Sequence, residues 1–282
     1  MSGLSRPIVL VLLSVAAGFL GLASVARAGV ITQPTGAFAG KPARGAVMVI
    51  HGGAWLWTGP QQVQAFAPRA LRFSNAGYLT DNIDYRPGYQ SVADSVAEYD
   101  SLRRRLGKDT PICLWGASSG GHLALMVAAR RRDVACVMSE AGPTDLATDT
   151  YLLPASNFFF AEHGGLARWS PVTYADRIRA PLLLVGAAND DVVPLSQARE
   201  LARVHPRHTR VFVLHAGISP WVHGSVDAGD LALLYRTERA FVVRSERSYA
   251  ARRAGASARA MIRARFSSLK NGPPGIRPSR AR

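Results

Sequence analysis

Short apolar runs alternate with amphipathic segments through most of the 282-residue chain. Runs such as 45–50, 111–115 and 181–186 are apolar at nearly every position, which is typical of parallel strands that are buried on both faces. The segments that follow them carry apolar residues three or four positions apart, as amphipathic helices do. This alternation predicts an α/β fold built on a doubly wound, mostly parallel sheet.

The same pattern places the individual elements. We predict strands at 45–50, 78–85, 111–115, 134–139, 181–186 and 209–214, and helices at 60–74, 91–106, 122–129, 195–204 and 225–243. Residues from about 145 to 178 break the alternation and contain the aromatic cluster Phe158–Phe160. An irregular insertion at the carboxyl edge of a sheet favours a lid or binding loop over a plain connecting pair of helices.

Residues 1–28 have the pattern of a signal peptide. Arg6 precedes an apolar run from Ile8 to Leu22, and Ala26-Arg27-Ala28 forms an A-x-A cleavage site before Gly29. We therefore expect cleavage at this point and export to the periplasm or the medium. An N-terminal membrane anchor is the alternative, although the run is shorter than the roughly 20 residues that cross a bilayer.

Positive charge is concentrated at the other end of the chain. The net charge is +15, and residues 244–282 contain ten Arg and one Lys against a single acid, Glu246. This segment is predicted to be a largely disordered basic tail that follows a domain covering 29–243. A short basic amphipathic helix between Ala250 and Leu269 is the alternative. The domain has no basic face interleaved with aromatic residues, so we expect no nucleic-acid partner. The tail is the candidate for a weak contact with an anionic membrane or envelope.

The chain has two cysteines, Cys113 and Cys136, each within an apolar run that predicts a buried strand. Export would permit a disulfide between them. Cysteine is also among the most buried residue types, and we expect two buried thiols here. No Cys or His pattern with zinc-ligand spacing is present, so the sequence indicates no metal site.

The stretch Gly116-Ala117-Ser118-Ser119-Gly120-Gly121 lies between a predicted strand and a predicted helix. A G-x-S-x-G sequence in this position is the pattern of a nucleophile elbow, a turn so tight that glycine is needed on both sides. The turn presents the hydroxyl of Ser118 at the carboxyl edge of the sheet. It also directs the backbone N–H of Ser119 and the positive end of the helix toward an oxyanion formed there.

A serine hydroxyl needs a neighbouring base to act as a nucleophile at neutral pH. Of the seven histidines, two follow the last predicted strand. His215 comes directly after it, whereas His223 lies in a loop long enough to bring its ring over the elbow. The chain order Ser, acid, His of this architecture puts the base in that loop. This favours His223 and leaves His215 as a structural histidine, with His163 in the insertion as a further candidate.

The base in turn needs a carboxylate that orients it and stabilises its cation. Asp190 and Asp191 follow the strand 181–186, at the same predicted edge as Ser118. A turn can direct only one of them inward, and we favour Asp190, which leaves Asp191 as a solvated or capping residue. Asp145, after the preceding strand, is a third candidate.

A further oxyanion donor is predicted in His51-Gly52-Gly53-Ala54, directly after the strand 45–50. Glycines at this point allow backbone N–H groups to turn toward the elbow. We assign Gly53 and Ala54, together with Ser119, to the oxyanion hole. Each donor of this kind contributes about 3 kcal/mol of transition-state stabilisation in enzymes from which it has been removed.

These motifs resemble the α/β-hydrolase superfamily, and within it the esterases that carry His-Gly-Gly-x-Trp ahead of Gly-x-Ser-x-Gly-Gly. This group includes the BD-FAE-like feruloyl and acetyl esterases and the kynurenine formamidases. The resemblance covers about 46–240 and includes Asp84-Tyr85-Arg86, Ser170-Pro171-Val172 and Asp190-Asp191-Val192-Val193-Pro194. It implies a Ser/Asp/His hydrolase without metal or organic cofactor, with the triad at Ser118, Asp190 and His223.

The predicted function is that of an exported serine esterase that cleaves a small or aryl ester through an acyl-enzyme. Two alternatives stay open at this point. The same triad could cleave an amide, formamide or peptide bond, and the scaffold could belong to a non-catalytic binding protein.

Overall fold

The structure is a computed structural model that describes residues 29–149, 152–215 and 228–270. Its centre is a seven-stranded sheet with the order β1-β3-β2-β4-β5-β6-β7. Strand β1 is antiparallel to β3, and the other neighbours are parallel. The strands are β1 Val30–Thr32, β2 Ala46–Ile50, β3 Leu79–Ile83, β4 Ile112–Ala117, β5 Cys136–Glu140, β6 Leu182–Ala187 and β7 Thr209–Leu214. The predicted doubly wound α/β fold is confirmed.

Helices connect the strands, mostly within a few residues of their predicted bounds. They are α1 Pro60–Ser74, α2 Gln90–Leu106, α3 Ser119–Arg130, α4 Leu153–Phe160, α5 Leu166–Trp169, α6 Leu195–Val204 and α7 Ala228–Lys270. The bounds of helix α1 could be predicted from residues at its two ends. It begins with proline in its first turn and ends shortly before Gly77, which has a φ of 93°. None of the helices among the described residues combines the length and the apolar character that crossing a bilayer requires.

Helix α7 is much longer than predicted. Its segment 244–270 is helical, which corrects the prediction of a largely disordered tail over these residues and agrees with the alternative of a helix between Ala250 and Leu269. Alanine and arginine dominate the segment, and both are strong helix formers. Contacts also hold it to the domain, because Glu246 accepts a hydrogen bond from Tyr78 at 2.7 Å and Tyr249 donates one to the carbonyl of Lys108 at 2.8 Å.

The two cysteines form a disulfide, which corrects the prediction of two buried thiols. Cys113 and Cys136 are register partners on the adjacent parallel strands β4 and β5, with their Cα atoms 4.6 Å apart. This separation is one that a disulfide can bridge. The pairing depends on the register between the two strands, which the sheet determines and the spacing along the chain does not.

The described part of the insertion between β5 and β6 contains the helices α4 and α5, where the sequence predicted an irregular segment. Its role as a lid stays a prediction. Its aromatic cluster is divided, since Phe160 is buried while Phe158 is 54% exposed. The ring of Phe160 packs against Trp55 and Trp169, with centroids 5.2 and 5.6 Å away. These contacts hold the insertion against the segment that follows β2.

Candidate active site

Backbone strain among the described residues is concentrated at the carboxyl ends of the adjacent strands β2, β4 and β5. The non-glycine residues with positive φ there are Ala54, Trp55, Ser118 and Ala141, at 49°, 58°, 52° and 44°. The first two follow β2, Ser118 follows β4, and Ala141 follows β5. Such conformations cost about 1–3 kcal/mol each, persist only where the surroundings impose them, and cluster at functional sites. The strain thus marks this edge of the sheet as the candidate active site.

Ser118 occupies a sharp turn between β4 and α3. Its backbone has a φ of 52° and a ψ of −124°, and its N–H donates to the carbonyl of Glu140 at 2.8 Å. Glycine is needed on either side because the chain crosses itself closely. A Cβ atom at Gly116 would lie 2.2 Å from the carbonyl oxygen of Gly120, and one at Gly120 would lie 2.1 Å from that of Ile50. The strand, turn and helix around this serine have the geometry of a nucleophile elbow.

The segment after β2 packs directly against the elbow. A Cβ atom added to Gly52 would lie 3.3 Å from the Cβ of Ser118. Within the described part of the chain, the N–H groups of Gly53, Ala54 and Ser119 have no hydrogen-bond acceptor. Free backbone donors beside a nucleophile are what stabilisation of an oxyanion requires.

A buried polar cluster supports this segment, and sequence reasoning gave it no role. The hydroxyl of Tyr85 donates to the carbonyl of His51 at 2.9 Å and lies 3.4 Å from the Oγ of Ser119. The His51 ring stacks on Tyr85 and contacts Asp84 through Nε2 at 3.2 Å. Tyr85 therefore joins the two halves of the candidate oxyanion hole. The sequence feature that could have pointed to Tyr85 is the pair Asp84-Tyr85, which belongs to the motifs shared with the α/β-hydrolase esterases.

Asp84 is held as a carboxylate. Burial raises its pKa, but hydrogen bonds from His51 and from the backbone N–H groups of Gly59 and Tyr85 outweigh this effect, so the pKa lies below its usual value. The charge of Asp84 thus fixes the orientation of the His51 ring.

Asp190 and Asp191 lie in different environments after β6. Asp190 is only 6% exposed, and its Oδ1 accepts the N–H groups of Val192 and Val193 at 3.0 and 2.9 Å. Asp191 is exposed. Asp145 accepts the N–H of Ala147 at 3.1 Å and so caps its own turn. Of the three predicted acids, Asp190 therefore has the buried and fixed position that an orienting carboxylate needs.

The predicted base, His223, lies outside the described residues, between β7 and α7. His215 is described: its side chain is 95% exposed, and its backbone N–H donates to Asp230 at 2.8 Å. His163 is exposed and stacks on Tyr89 with ring centroids 3.6 Å apart. The structure brings together Ser118 and the predicted oxyanion donors and places Asp190 at the same edge, while His223 stays a prediction.

His122 is a buried structural residue. Its Nδ1 accepts the indole N–H of Trp55 at 3.1 Å, and its Nε2 donates to the carbonyl of Trp169 at 2.6 Å. Burial lowers the pKa of His122 to about 4, so the ring is neutral at physiological pH. It links the strained segment after β2 to the helical insertion.

Large aromatic side chains are exposed on the segments that border the site. Trp57, Tyr89 and Phe158 are 48%, 37% and 54% exposed, whereas Trp55 is fully buried. A Cβ atom at Gly53 would lie 2.6 Å from the carbonyl oxygen of Trp57, which places that residue beside the candidate oxyanion hole. Exposed aromatic groups beside a site can bind the apolar part of a substrate.

Solved structures share this fold. A truncated carbohydrate esterase from gut microbiota matches with a TM-score of 0.64 at 18% identity, over 79% of this chain and 96% of that chain. Esterase 2 of Thermogutta terrifontis matches with a TM-score of 0.60 at 19% identity, over 76% and 88% of the two chains. A puromycin-hydrolyzing peptidase of Mycobacterium tuberculosis has a TM-score of 0.60 at 20% identity, over 79% and 39%. No curated protein matches the chain significantly.

The predicted α/β-hydrolase superfamily is confirmed by the sequence family as well. The prolyl oligopeptidase family matches residues 78–243, which is more than half of the chain and includes the elbow serine and Asp190. The protein is thus an enzyme, a serine hydrolase with the α/β-hydrolase fold. The chain belongs to the prolyl oligopeptidase family.

Proposed function

We propose that this enzyme is a carboxylester hydrolase that cleaves a small or aryl ester through an acyl-enzyme, using Ser118, Asp190 and His223. The observation that carries the proposal is the packing against Ser118, in its strained turn, of the segment whose Gly53 and Ala54 N–H groups have no acceptor among the described residues. A nucleophile and oxyanion donors in contact are the minimal arrangement for acyl transfer.

In the first half of the reaction, the Oγ of Ser118 attacks the carbonyl carbon of the ester, and His223 takes the hydroxyl proton. The carbonyl oxygen becomes an oxyanion that accepts hydrogen bonds from the N–H groups of Ser119, Gly53 and Ala54. The bond to the alcohol oxygen then breaks, and the proton held by His223 passes to the leaving alcohol. The acyl group stays on Ser118.

In the second half, water attacks the acyl carbon while His223 takes its proton. A second oxyanion forms on the same donors and collapses, the bond to Ser118 breaks, and the proton returns to Oγ. The buried carboxylate of Asp190 orients His223 throughout and stabilises its cation. Because both halves use the same groups, loss of any one of them slows both.

The preference for an ester with an apolar or aryl group is supported by the exposed aromatic side chains of Trp57, Tyr89 and Phe158. An alkoxide or phenoxide also leaves more readily than an amine, which must be protonated as it departs.

A second candidate is cleavage of an amide, formamide or peptide bond. The observation that favours it is the family itself, whose name is that of an oligopeptidase, together with the likeness to a puromycin-hydrolyzing peptidase. The same catalytic groups serve both bonds, so the leaving group decides between the two candidates.

The test compares hydrolysis of p-nitrophenyl acetate and butyrate with that of aminoacyl and dipeptidyl p-nitroanilides. The proposal expects kcat/KM for the esters to exceed that for the anilides by at least about 100-fold, and the reverse ranking would establish the second candidate. Ser118→Ala should abolish both activities and labelling by a fluorophosphonate probe. Exposed Ser196 provides a matched control, and Ser196→Ala should retain both. A folded wild-type protein that neither labels nor turns over would indicate a binding protein.

A further inference from the structure

Asp81 is a buried carboxylate without a partner among the described residues. It lies at the middle of β3 and is 1% exposed, and neither of its side-chain oxygens has a hydrogen-bond donor there. A buried charge that is neither paired nor hydrogen-bonded is strongly unfavourable. A carboxyl group in this state either takes up a proton or pairs with a counter-ion.

The side chains around Asp81 do not supply that counter-ion. The charged groups that act on it are Glu98 and Arg105 of α2, and neither forms an ion pair or a hydrogen bond with it. Its register partners in the sheet, Ile31 and Met48, are apolar. Burial, and next the charge of Glu98, raise the pKa of Asp81 to about 7, while Arg105 acts in the opposite direction.

Gly29 lies against the same carboxylate. Strand β1 pairs with β3 so that Ile31 is opposite Asp81, and Gly29 shares that face because side chains alternate along a strand. A Cβ atom added to Gly29 would lie 2.0 Å from the Oδ1 of Asp81. The backbone nitrogen of Gly29 is about 2.5 Å from the position of this Cβ, because both are bonded to the same carbon, so it lies within about 4.5 Å of Oδ1. Gly29 is also the residue directly after the A-x-A sequence.

We propose that cleavage of the Ala28–Gly29 bond during export creates the missing partner, the α-ammonium group of Gly29, which pairs with the carboxylate of Asp81. Hydrolysis adds a water molecule across the peptide bond and releases Ala28 as a carboxylate and Gly29 as an amine. An α-amino group has a pKa near 8 and is protonated at neutral pH. The ion pair therefore exists only in the processed chain, where it stabilises the edge strand β1 on the sheet.

The test uses the full chain, expressed with its own leader in a bacterium and purified after export. Mass spectrometry should show that the exported protein begins at Gly29. Asp81→Asn should lower the melting temperature of this protein by about 3 °C or more. The matched control is Asp176→Asn, because Asp176 is exposed, and it should leave the melting temperature unchanged.

An insertion variant separates loss of the pair from a general defect. Insertion of Gly-Ser between Ala28 and Gly29 moves the ammonium group two residues away, and mass spectrometry should verify cleavage after Ala28. In this background Asp81→Asn should raise the melting temperature, because it removes a buried charge that has lost its partner. The proposal is overturned if the exported protein begins at another residue, or if Asp81→Asn has the same effect with and without the insertion.

The ion pair also has an expected pH dependence. Pairing raises the pKa of the α-amino group in the folded state, so its contribution is complete below pH 8 and is lost as the pH rises through the folded value. The processed wild type should therefore lose more stability between pH 7.5 and pH 10 than its Asp81→Asn variant does. Equal losses in the two proteins would contradict the pairing.

Discussion

Glu238 on helix α7 accepts a hydrogen bond from the indole N–H of Trp115 at 2.8 Å, although the two residues are 123 positions apart. The same N–H lies 2.9 Å from Glu140, and Arg69 bridges both carboxylates at 3.0 and 3.1 Å. Trp115 belongs to the strand that ends at the elbow, and the carbonyl of Glu140 accepts the N–H of Ser118. This buried cluster therefore connects the long C-terminal helix to the nucleophile.

Removal of Arg69 from this cluster should lower the free energy of unfolding far more than neutralisation of Glu238 does. Burial, opposed by Arg69 and reinforced by Glu238, raises the pKa of Glu140 well above its usual value. Arg69→Ala leaves two buried carboxylates without their partner and should lower the free energy of unfolding by about 3–5 kcal/mol. Glu238→Gln keeps an acceptor for Trp115 and removes the repulsion, so it should change that free energy by less than about 1 kcal/mol. Urea unfolding of the two variants checks this, and equal losses would contradict it.

Asp190 and Asp191 offer a matched pair of substitutions. Asp190→Asn should lower kcat for p-nitrophenyl acetate by about 10⁴-fold, because an amide holds the imidazole in the wrong tautomer. Asp191 is exposed, and Asp191→Asn should leave kcat within about a factor of two. If Asp191→Asn instead loses more kcat than Asp190→Asn does, Asp191 is the acid of the triad.

Substitution of Gly120 tests the contact between the elbow and the segment after β2 that holds Gly53 and Ala54, here called the oxyanion segment. A Cβ atom there would meet the carbonyl oxygens of Ile50 and His51 at 2.1 and 2.5 Å, so Gly120→Ala must push the two segments apart. We expect a stability loss of about 1–3 kcal/mol and a drop in kcat of about 100-fold, as the donors move away from the oxyanion. At Gly40 a Cβ would meet nothing within 4 Å. Gly40→Ala should cost about 1 kcal/mol, for its positive φ, and leave kcat unchanged.

His122 should make the protein sensitive to acid. Burial lowers its pKa from 6.5 to about 4, so between these values the unfolded chain binds a proton that the folded protein does not. Stability therefore falls as the pH decreases from 6.5 to 4, by about 3 kcal/mol from this group. His122→Gln retains a donor and an acceptor and should lose less stability over this range. Thermal unfolding of both proteins at pH 7 and pH 4.5 measures the difference, and parallel losses would contradict the assignment.

The disulfide between Cys113 and Cys136 should stabilise the fold measurably. It closes a loop with a sequence separation of 23 residues, for which restriction of the unfolded chain contributes about 3 kcal/mol. Reduction of the disulfide, or substitution of both cysteines by serine, should lower the free energy of unfolding by about 3 kcal/mol. Titration of thiols in the unfolded protein, which should find none before reduction, checks the oxidation state independently.

Local signals in the sequence were sufficient for most elements and for the elbow. The strand 45–50 and helix 60–74 follow from periodicity and from proline and glycine at helix ends, which depend on neighbouring residues only. The motif around Ser118 could be recognised because its strand and helix are also local. The sequence offered a helix between Ala250 and Leu269 only as an alternative, because the residues after 243 have the composition of a disordered segment. The continuous helix α7 is held by partners such as Tyr78, far away in the chain.

The sequence by itself determined the α/β class and the position of Ser118 at the end of a strand, and it predicted Gly53 and Ala54 as oxyanion donors. Only the tertiary structure decided that Asp190 is buried while Asp191 is exposed, that Cys113 faces Cys136, and that Tyr85 supports the oxyanion segment. The reason is physical. Hydrophobic period and turn chemistry are local properties, whereas burial, register and long-range hydrogen bonds arise only when distant segments pack together.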